Sequence, residues 1–166
     1  MKTRAATPED ADAIAAIYNE GIEDRIATFE TRLRTAEDIR GWFNDAGFPI
    51  VVVESDGRVI AFASTSLYRP RECYAGIAEF SVYVARAARG RGAGRVALLA
   101  LLEAAEAAGF WKLVSRIFVE NSVSRALMQK VGFREVGIYE KHGKLDGVWR
   151  DVVIVERLLE PANPRV

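Results

Sequence analysis

The stretch "EFSVYVARAARGRGAGRVALL", residues 79–99, changes character twice along its length. It opens with β-rich residues that predict a strand, passes through "RGRGAGR" (residues 89–95), and continues as an apolar run typical of a helix. A glycine-rich turn between a strand and a helix directs free backbone N–H groups and a helix N-terminus at one place. The turn is therefore a candidate anion site, best suited to phosphate. The alternative is a strand–helix connection in which the glycines provide only flexibility.

Two common phosphate-binding motifs do not fit this turn. A Walker loop needs a Lys-Ser/Thr pair after its last glycine, and none follows here. A dinucleotide-binding fingerprint needs a third glycine where Arg95 stands, and it follows the first strand of a fold rather than a later one. The pattern R/Q-x-x-G-x-G/A does fit, at Arg89, Gly92 and Gly94. Its small residues let backbone amides close around a pyrophosphate, and the flanking arginines add positive charge.

The rest of the chain predicts one mixed sheet with helices on both faces, an α/β (mixed α+β) fold in the order β-α-α-β-β-β-α-β-α-β-β. Thr7 followed by Pro8 predicts a helix start, and Thr35 with Asp38 predicts another. Asp56-Gly57 predicts a hairpin turn. We expect a single domain over residues 1–160 and a frayed tail at residues 161–166.

Composition excludes several classes of protein. Lys and Arg number 23, and so do Asp and Glu, so there is no overall attraction to nucleic acid or to an anionic membrane. The one cysteine, Cys73, excludes a disulfide framework and a cysteine-rich metal site. The N-terminus has no apolar signal region, and the longest apolar run, 96–102, is too short to span a bilayer. We therefore expect a cytoplasmic protein without a metal.

A second motif lies beyond the helix that follows the turn. "NSVSRALMQKVGF", residues 121–133, places Asn121 at the head of another helix that ends in Gly-Phe. The glycine turn and this motif together resemble the Gcn5-related N-acetyltransferase (GNAT) superfamily. "IYNEGI", "ATFET", "EFSVYV", "RGRGAGR", N-x-x-S and "GVWRD" occur in order over nearly the whole chain. They resemble the phosphinothricin N-acetyltransferase family.

The resemblance implies an acyl-CoA N-acyltransferase fold with a mostly antiparallel sheet, acetyl-CoA as cosubstrate, and a homodimer. It implies that the turn holds the pyrophosphate and that the preceding strand binds the pantetheine arm through free backbone groups. The implied cofactor-binding residues are Val82, Tyr83, Val84, Arg89, Gly90, Arg91, Gly92, Ala93, Gly94, Arg95, Asn121 and Ser124.

Acetylation of an amine requires a base, because an amino-acid amine is mostly protonated at neutral pH. The resemblance implies that Glu79 is this base, whereas a strand-end carboxylate in solvent is the alternative. It also implies that one strand N–H donates to the thioester oxygen. Many superfamily members protonate the leaving thiolate with a tyrosine where this sequence has Met128, and a thioether cannot donate a proton. Water, Tyr83 or unaided departure of the thiolate remain open.

The acceptor pocket is expected around "YRPRECY", residues 68–74. Arg71 and Tyr74 suit a small acidic amino acid, because an arginine fork binds carboxylates and phosphinates, although a solvated loop arginine is the alternative. The resemblance implies that Phe29 and Glu30 line the same pocket. Phosphinothricin, methionine sulfone, methionine sulfoximine and arsenic-containing glutamate analogues fit this chemistry, which would give detoxification or resistance. A non-catalytic acetyl-CoA-binding regulatory module, or an enzyme acting on a protein N-terminus or a polyamine, remains the alternative. No nucleic-acid or membrane partner is expected.

Overall fold

Seven strands form one sheet in the order β1-β2-β3-β4-β5-β7-β6 in the computed structural model, which describes residues 1–166. Every neighbouring pair is antiparallel except β4 and β5, which run parallel and are joined by the crossover helix α3. The element order and the mostly antiparallel sheet confirm the predicted fold class. The strands are β1 (Lys2–Ala5), β2 (Ile50–Ser55), β3 (Arg58–Leu67), β4 (Ile77–Val84), β5 (Lys112–Phe118), β6 (Arg134–Leu145) and β7 (Val148–Leu158). The helices are α1 (Ala11–Asp24), α2 (Ala36–Gly41), α3 (Ala93–Ala107) and α4 (Ser122–Lys130).

The residues predicted to start helices do so where the sequence predicts, with one difference at the first helix. Thr35 Oγ1 accepts a hydrogen bond from the Asp38 N–H (3.2 Å), and Asp38 Oδ2 accepts one from the Thr35 N–H (2.9 Å). This reciprocal capping starts α2. At the first helix, Pro8 opens a 3-10 turn (Pro8–Asp10), and α1 begins only at Ala11. The proline therefore belongs to a short lead-in turn rather than to the α-helix itself.

Helices cover both faces of the sheet, as predicted. Because successive strand residues point to opposite faces, Val51 and Val53 of β2 join the larger core beneath α3 and α4, and Ile50 and Val52 join the smaller core beneath α1 and α2. We call these sides the α3 face and the α1 face. The loop after α1 reaches across the α1 face, where the Phe29 ring packs edge-on against Phe118 at the end of β5 (4.8 Å between centroids).

The sheet is open between β4 and β5. These strands pair at only three positions, the last being Glu79 with Val114. Beyond them β4 stays paired with β3 up to Val84, and β5 stays paired with β7 up to Phe118. The hydrogen bond from Ser115 Oγ to the Phe80 carbonyl oxygen (2.9 Å) is a side-chain link just past the last pair. The C-terminal halves of β4 and β5 therefore border a cleft.

The C-terminal tail is anchored, which corrects the expectation of fraying. The Arg165 N–H donates to the Gly109 carbonyl oxygen (3.0 Å), and Arg165 Nε donates to that of Ala108 (3.0 Å). The guanidinium also donates to the Gly47 carbonyl and lies 3.9 Å from the centroid of the Phe110 ring. Composition alone did not predict this anchor, because it joins the tail to two distant turns of the chain.

Candidate active site

The glycine-rich turn forms the N-terminus of α3. Gly92 is the N-cap with φ +85°, and Gly90 has φ +77°, a left-handed conformation that favours glycine. The first hydrogen bond inside the helix runs from the Val96 N–H to the Gly92 carbonyl oxygen (3.1 Å). The N–H groups of Ala93, Gly94 and Arg95 therefore have no partner within the helix. Together they can bind an anion such as a phosphate.

Gly94 has a different role in the same turn. A Cβ at this position would lie 3.3 Å from Leu127 Cδ2 and 3.4 Å from Val84 Cγ2. The absence of a side chain thus lets the first turn of α3 pack closely on α4 and on the end of β4. Gly90 and Gly92 are needed for their backbone conformation, whereas Gly94 is needed for this close approach.

The arginines of the turn are not equally available. Arg89 Nη1 lies 2.6 Å from Asp24 Oδ2, and Arg86 Nη2 lies 2.8 Å from Asp24 Oδ1. Hydrogen bonds from Arg86 and Arg89 hold the pKa of Asp24 below its usual value. Arg91 donates only to the Ala87 carbonyl (3.2 Å), and Arg95 is exposed. Asp24 therefore offsets much of the charge that the sequence suggested at Arg89.

The free edge of β4 can be assigned from the hydrogen bonds at its two sides. The Ala85 N–H donates to the Ile60 carbonyl of β3 (2.8 Å), whereas the Phe80 carbonyl accepts from Ser115 of β5. Because backbone groups alternate along a strand, those of Val82 and Val84 face the cleft, and those of Tyr83 face β3. Val82 and Val84 thus match the expected edge, and the backbone of Tyr83 does not.

The Tyr83 side chain is packed on the α1 face. Its ring lies perpendicular to that of Tyr18 (5.0 Å between centroids) and stacks on Phe62 (5.5 Å). Gly21 makes room for it, since a Cβ there would lie 2.7 Å from the Tyr83 ring. Burial raises the pKa of Tyr83 well above its usual value, an effect that a hydrogen bond with Thr28 partly offsets. The Tyr83 ring is thus enclosed by aromatic side chains on the α1 face.

Glu79 lies on the α1 face where the pairing of β4 and β5 ends. Nη2 of Arg116 lies 3.2 Å from both carboxylate oxygens of Glu79. Both side chains are partly exposed, Glu79 by 30% and Arg116 by 49%. No sequence motif pointed to Arg116. Its only signal in the sequence is a charged residue within the strand "KLVSRIF", residues 112–118.

The predicted acceptor loop joins β3 to β4 just before Glu79. Arg71 is exposed and precedes a short 3-10 turn (Glu72–Tyr74). Tyr74 packs edge-on against Tyr68 (5.7 Å), and the Arg69 guanidinium lies over the same Tyr68 ring (5.1 Å). Arg69 is therefore engaged within the loop, whereas the Arg71 side chain forms no ion pair.

The two other predicted acceptor residues have separate environments. Phe29 packs on Phe118. Phe118 lies two residues beyond Arg116 in β5 and on the same face of the sheet. Glu30 instead pairs with Arg34, whose Nη2 lies 2.7 Å from Glu30 Oε2. The structure thus brings Phe29, Glu79 and Arg116 to one side of the open sheet, while Glu30 is held by a neighbour on its own loop.

The start of α4 lies at the end of β5. Asn121 Oδ1 accepts from the Ser124 N–H (3.2 Å), and its Nδ2 donates to the Ile26 carbonyl (3.2 Å). Asn121 therefore caps α4 and ties it to the loop after α1. Met128 is 2% exposed and belongs to the core on the α3 face. It offers no proton donor to the cleft.

Neither a metal site nor a membrane helix is found. No group of three or more His, Cys, Asp or Glu side chains is arranged to hold a metal ion. None of the helices combines the length and the apolar character that crossing a membrane requires.

Comparison with known proteins gives consistent matches. Residues 14–133 match the Acetyltransferase (GNAT) family. The chain is 33% identical to the phosphinothricin N-acetyltransferase of Alcaligenes faecalis, covering 96% of this chain and 83% of the relative. It is also 33% identical to the L-methionine sulfoximine/L-methionine sulfone acetyltransferase of Pseudomonas aeruginosa, covering 96% of this chain and 95% of the relative.

Solved structures agree with the fold along almost the whole chain. The ribosomal-protein-alanine N-acetyltransferase of Brucella melitensis superposes with a TM-score of 0.92 at 36% identity, covering 96% of this chain and 100% of that one. A GNAT superfamily phosphinothricin acetyltransferase from Sinorhizobium meliloti, in complex with acetyl-CoA, superposes with a TM-score of 0.88 at 30% identity, covering 97% and 90%.

Proposed function

The chain belongs to the GNAT acetyltransferase family and is an acetyl-CoA-dependent N-acetyltransferase, and from this premise we propose that it acetylates the α-amine of a small acidic amino acid or analogue. The observation that carries the proposal is the position of Glu79. Glu79 is the last residue of β4 that pairs with β5, at the start of the free strand edge, and it lies two residues beyond the beginning of β4, which follows the acceptor loop. We infer that the base, the cofactor edge and the acceptor loop serve one cleft.

The residues of the cleft fit acetyl-CoA. The unpaired N–H groups of residues 93–95 would bind the pyrophosphate, with Arg91 and Arg95 nearby to offset its charge. Val82 would bind the pantetheine arm through its backbone N–H and carbonyl, and Val84 through its N–H, because the Val84 carbonyl already accepts a hydrogen bond from Arg89 Nε (3.3 Å). Asn121 and Ser124 lie at the opposite wall, at the start of α4. Acetyl-CoA supplies the acetyl thioester, and no side chain of the cofactor site needs to form a covalent bond.

The chemistry assigned to the chain itself is limited to proton transfer and charge stabilisation. Glu79 would take a proton from the acceptor ammonium, directly or through water. The Val82 N–H, which has no sheet partner, would donate to the thioester oxygen as negative charge develops there. No side chain would protonate the thiolate, because Met128 is a buried thioether and the Tyr83 ring is enclosed by aromatic side chains.

The acceptor class follows from charge. Arg71 is exposed and unpaired, and Tyr74 stands beside it in the same loop. These residues favour a carboxylate, phosphinate or sulfonyl head group and disfavour a polyamine. Relatives named for phosphinothricin and for methionine sulfoximine and sulfone support this class. Detoxification or resistance would follow from acetylating such compounds, and a homodimer is expected from the resemblance.

A panel of acceptors tests the proposal. Phosphinothricin, methionine sulfone, methionine sulfoximine and an arsenic-containing glutamate analogue would be incubated with acetyl-CoA, with spermidine and a peptide bearing an N-terminal alanine as rivals. Free thiol release and the mass of the product would be measured. We expect acetylation of at least one of the amino acids in preference to both rivals. Preference for the peptide, the acceptor type suggested by the name of the Brucella melitensis protein, would refute the proposal, as would no transfer at all.

A further inference from the structure

We propose that Arg116 binds the α-carboxylate of the acceptor amino acid, which leaves Arg71 to bind the polar head of the acceptor side chain. The inference rests on the proposed function and deepens it, since it divides acceptor recognition between two arginines. No resemblance of sequence pointed to Arg116; only the fold brings it to Glu79.

The ion pair with Glu79 leaves most of the Arg116 guanidinium unused. A guanidinium carries five N–H donors on three nitrogens. Only Nη2 contacts Glu79, at 3.2 Å from each carboxylate oxygen, and neither Nε nor Nη1 has a protein acceptor. With 49% of the side chain exposed, these donors are open to a ligand.

The geometry of an α-amino acid fits this arrangement. Its amine nitrogen and its carboxylate carbon are both bonded to the same Cα, which places them roughly 2.5 Å apart. An amine that reaches Glu79 therefore brings its carboxylate within a few ångströms of the guanidinium that Glu79 already contacts. Arg116 would bridge the Glu79 carboxylate and the acceptor carboxylate.

The neighbouring cations on this face are already engaged. Lys112 Nζ lies 3.2 Å from Glu156 Oε1, and Arg134 Nη2 lies 2.9 Å from Glu156 Oε2. The Arg150 guanidinium lies over the Phe118 ring (5.3 Å), and its Nη1 lies 3.7 Å from Glu120 Oε2. Arg116 is thus the cation beside Glu79 that keeps accessible donors.

Three matched acceptors separate the roles of the two arginines. Methionine sulfone carries both a carboxylate and a sulfonyl head, L-norvaline carries only the carboxylate, and 3-(methylsulfonyl)propylamine carries only the head. In Arg116→Gln, KM should rise about 10- to 100-fold for the two amino acids, because a charge-assisted hydrogen bond is lost. The specificity constant for the amine should change little. Arg71→Gln, the matched control, should impair methionine sulfone and the amine but spare norvaline.

Each outcome decides the assignment. If Arg116→Gln lowers the rate equally for all three acceptors, Arg116 only positions Glu79, and the carboxylate assignment is wrong. It is also wrong if Arg71→Gln, rather than Arg116→Gln, impairs norvaline. If the unaltered protein acetylates the amine too slowly to measure, the assignment is supported when Arg116→Gln impairs the acetylation of norvaline. An unchanged KM for acetyl-CoA verifies folding of the variants. Failure of the proposed function would instead appear as no acetylation of any amino acid by the unaltered protein.

Discussion

Replacing Glu79 by glutamine gives the sharpest test of the proposed mechanism. Glutamine preserves the shape of the side chain and still accepts a hydrogen bond from Arg116, but it cannot take a proton from the acceptor ammonium. General-base catalysis contributes about 10²- to 10⁴-fold, so kcat should fall by this factor. The loss corresponds to about 2.7–5.4 kcal/mol in the activation barrier.

The structure predicts a much smaller effect of this substitution on stability. Both partners of the Glu79–Arg116 pair are partly exposed, and one guanidinium nitrogen makes all the contacts. Such pairs contribute about 0.2–1 kcal/mol, which for a chain of this size shifts Tm by only about 1–4 °C. A large loss of kcat with a small change in Tm would separate a chemical role from a structural one.

Stopped assays of acetyl transfer at several pH values, combined with thermal unfolding, provide the measurement. The defect of Glu79→Gln should shrink at high pH, where the acceptor amine loses its proton without help. Glu54→Gln is the matched control, because Glu54 is also a strand carboxylate paired with an arginine and is similarly exposed (32%), but lies in β2, which β3 separates from β4. Full activity of Glu79→Gln at neutral pH would remove Glu79 from the mechanism.

Three further predictions concern the cofactor, the acceptor and the fold. Gly92→Val should weaken acetyl-CoA binding about 5- to 30-fold in calorimetry, because a backbone φ of +85° strains a branched residue. Gly57→Val is the control, because Gly57 has a similar φ of +73° in a distant hairpin, and its replacement should leave the affinity for acetyl-CoA unchanged. Arg71→Ala should raise KM for the acidic acceptor about 10- to 100-fold, with partial rescue by lysine and no change in acetyl-CoA affinity. Hydrogen bonds from Arg4 lower the pKa of Asp10, so this pair stabilises the fold above about pH 4 and loses its effect as the pH falls through the depressed pKa. Asp10→Asn should therefore lower the free energy of unfolding at pH 7 by about 1.5–3 kcal/mol and flatten its decline in acid, as measured by denaturant titration.

The parts of the fold that the sequence predicted are those governed by local rules. The strand, glycine-rich turn and helix within residues 79–99 and the capping pair at Thr35 and Asp38 depend on a few adjacent residues, so their patterns were sufficient. The residues on the acceptor side could not be predicted in the same way. Arg116 meets Glu79 only because two strands distant in sequence pair in one register, and no local pattern specifies that register.

Two other differences have the same physical origin. Backbone alternation turns Tyr83 towards β3, and this depends on which edge of β4 is free rather than on the residue type. The anchoring of Arg165 depends on carbonyl groups at Gly47 and Ala108, which chain folding brings to the tail. Polar side chains with long-range partners are thus the features that a single sequence leaves open.

The short pairing between β4 and β5 divides the sheet into two blocks that are each continuous in sequence, residues 2–84 and residues 112–158, with α3 as the covalent bridge. A cosubstrate bound in the cleft, as we propose, would contact both blocks and so hold them together without a covalent bond. Its binding free energy adds to the cohesion of the whole sheet, in proportion to the logarithm of its concentration above Kd. The supply of acetyl-CoA would then govern how firmly the two blocks hold together as well as the rate of acetylation.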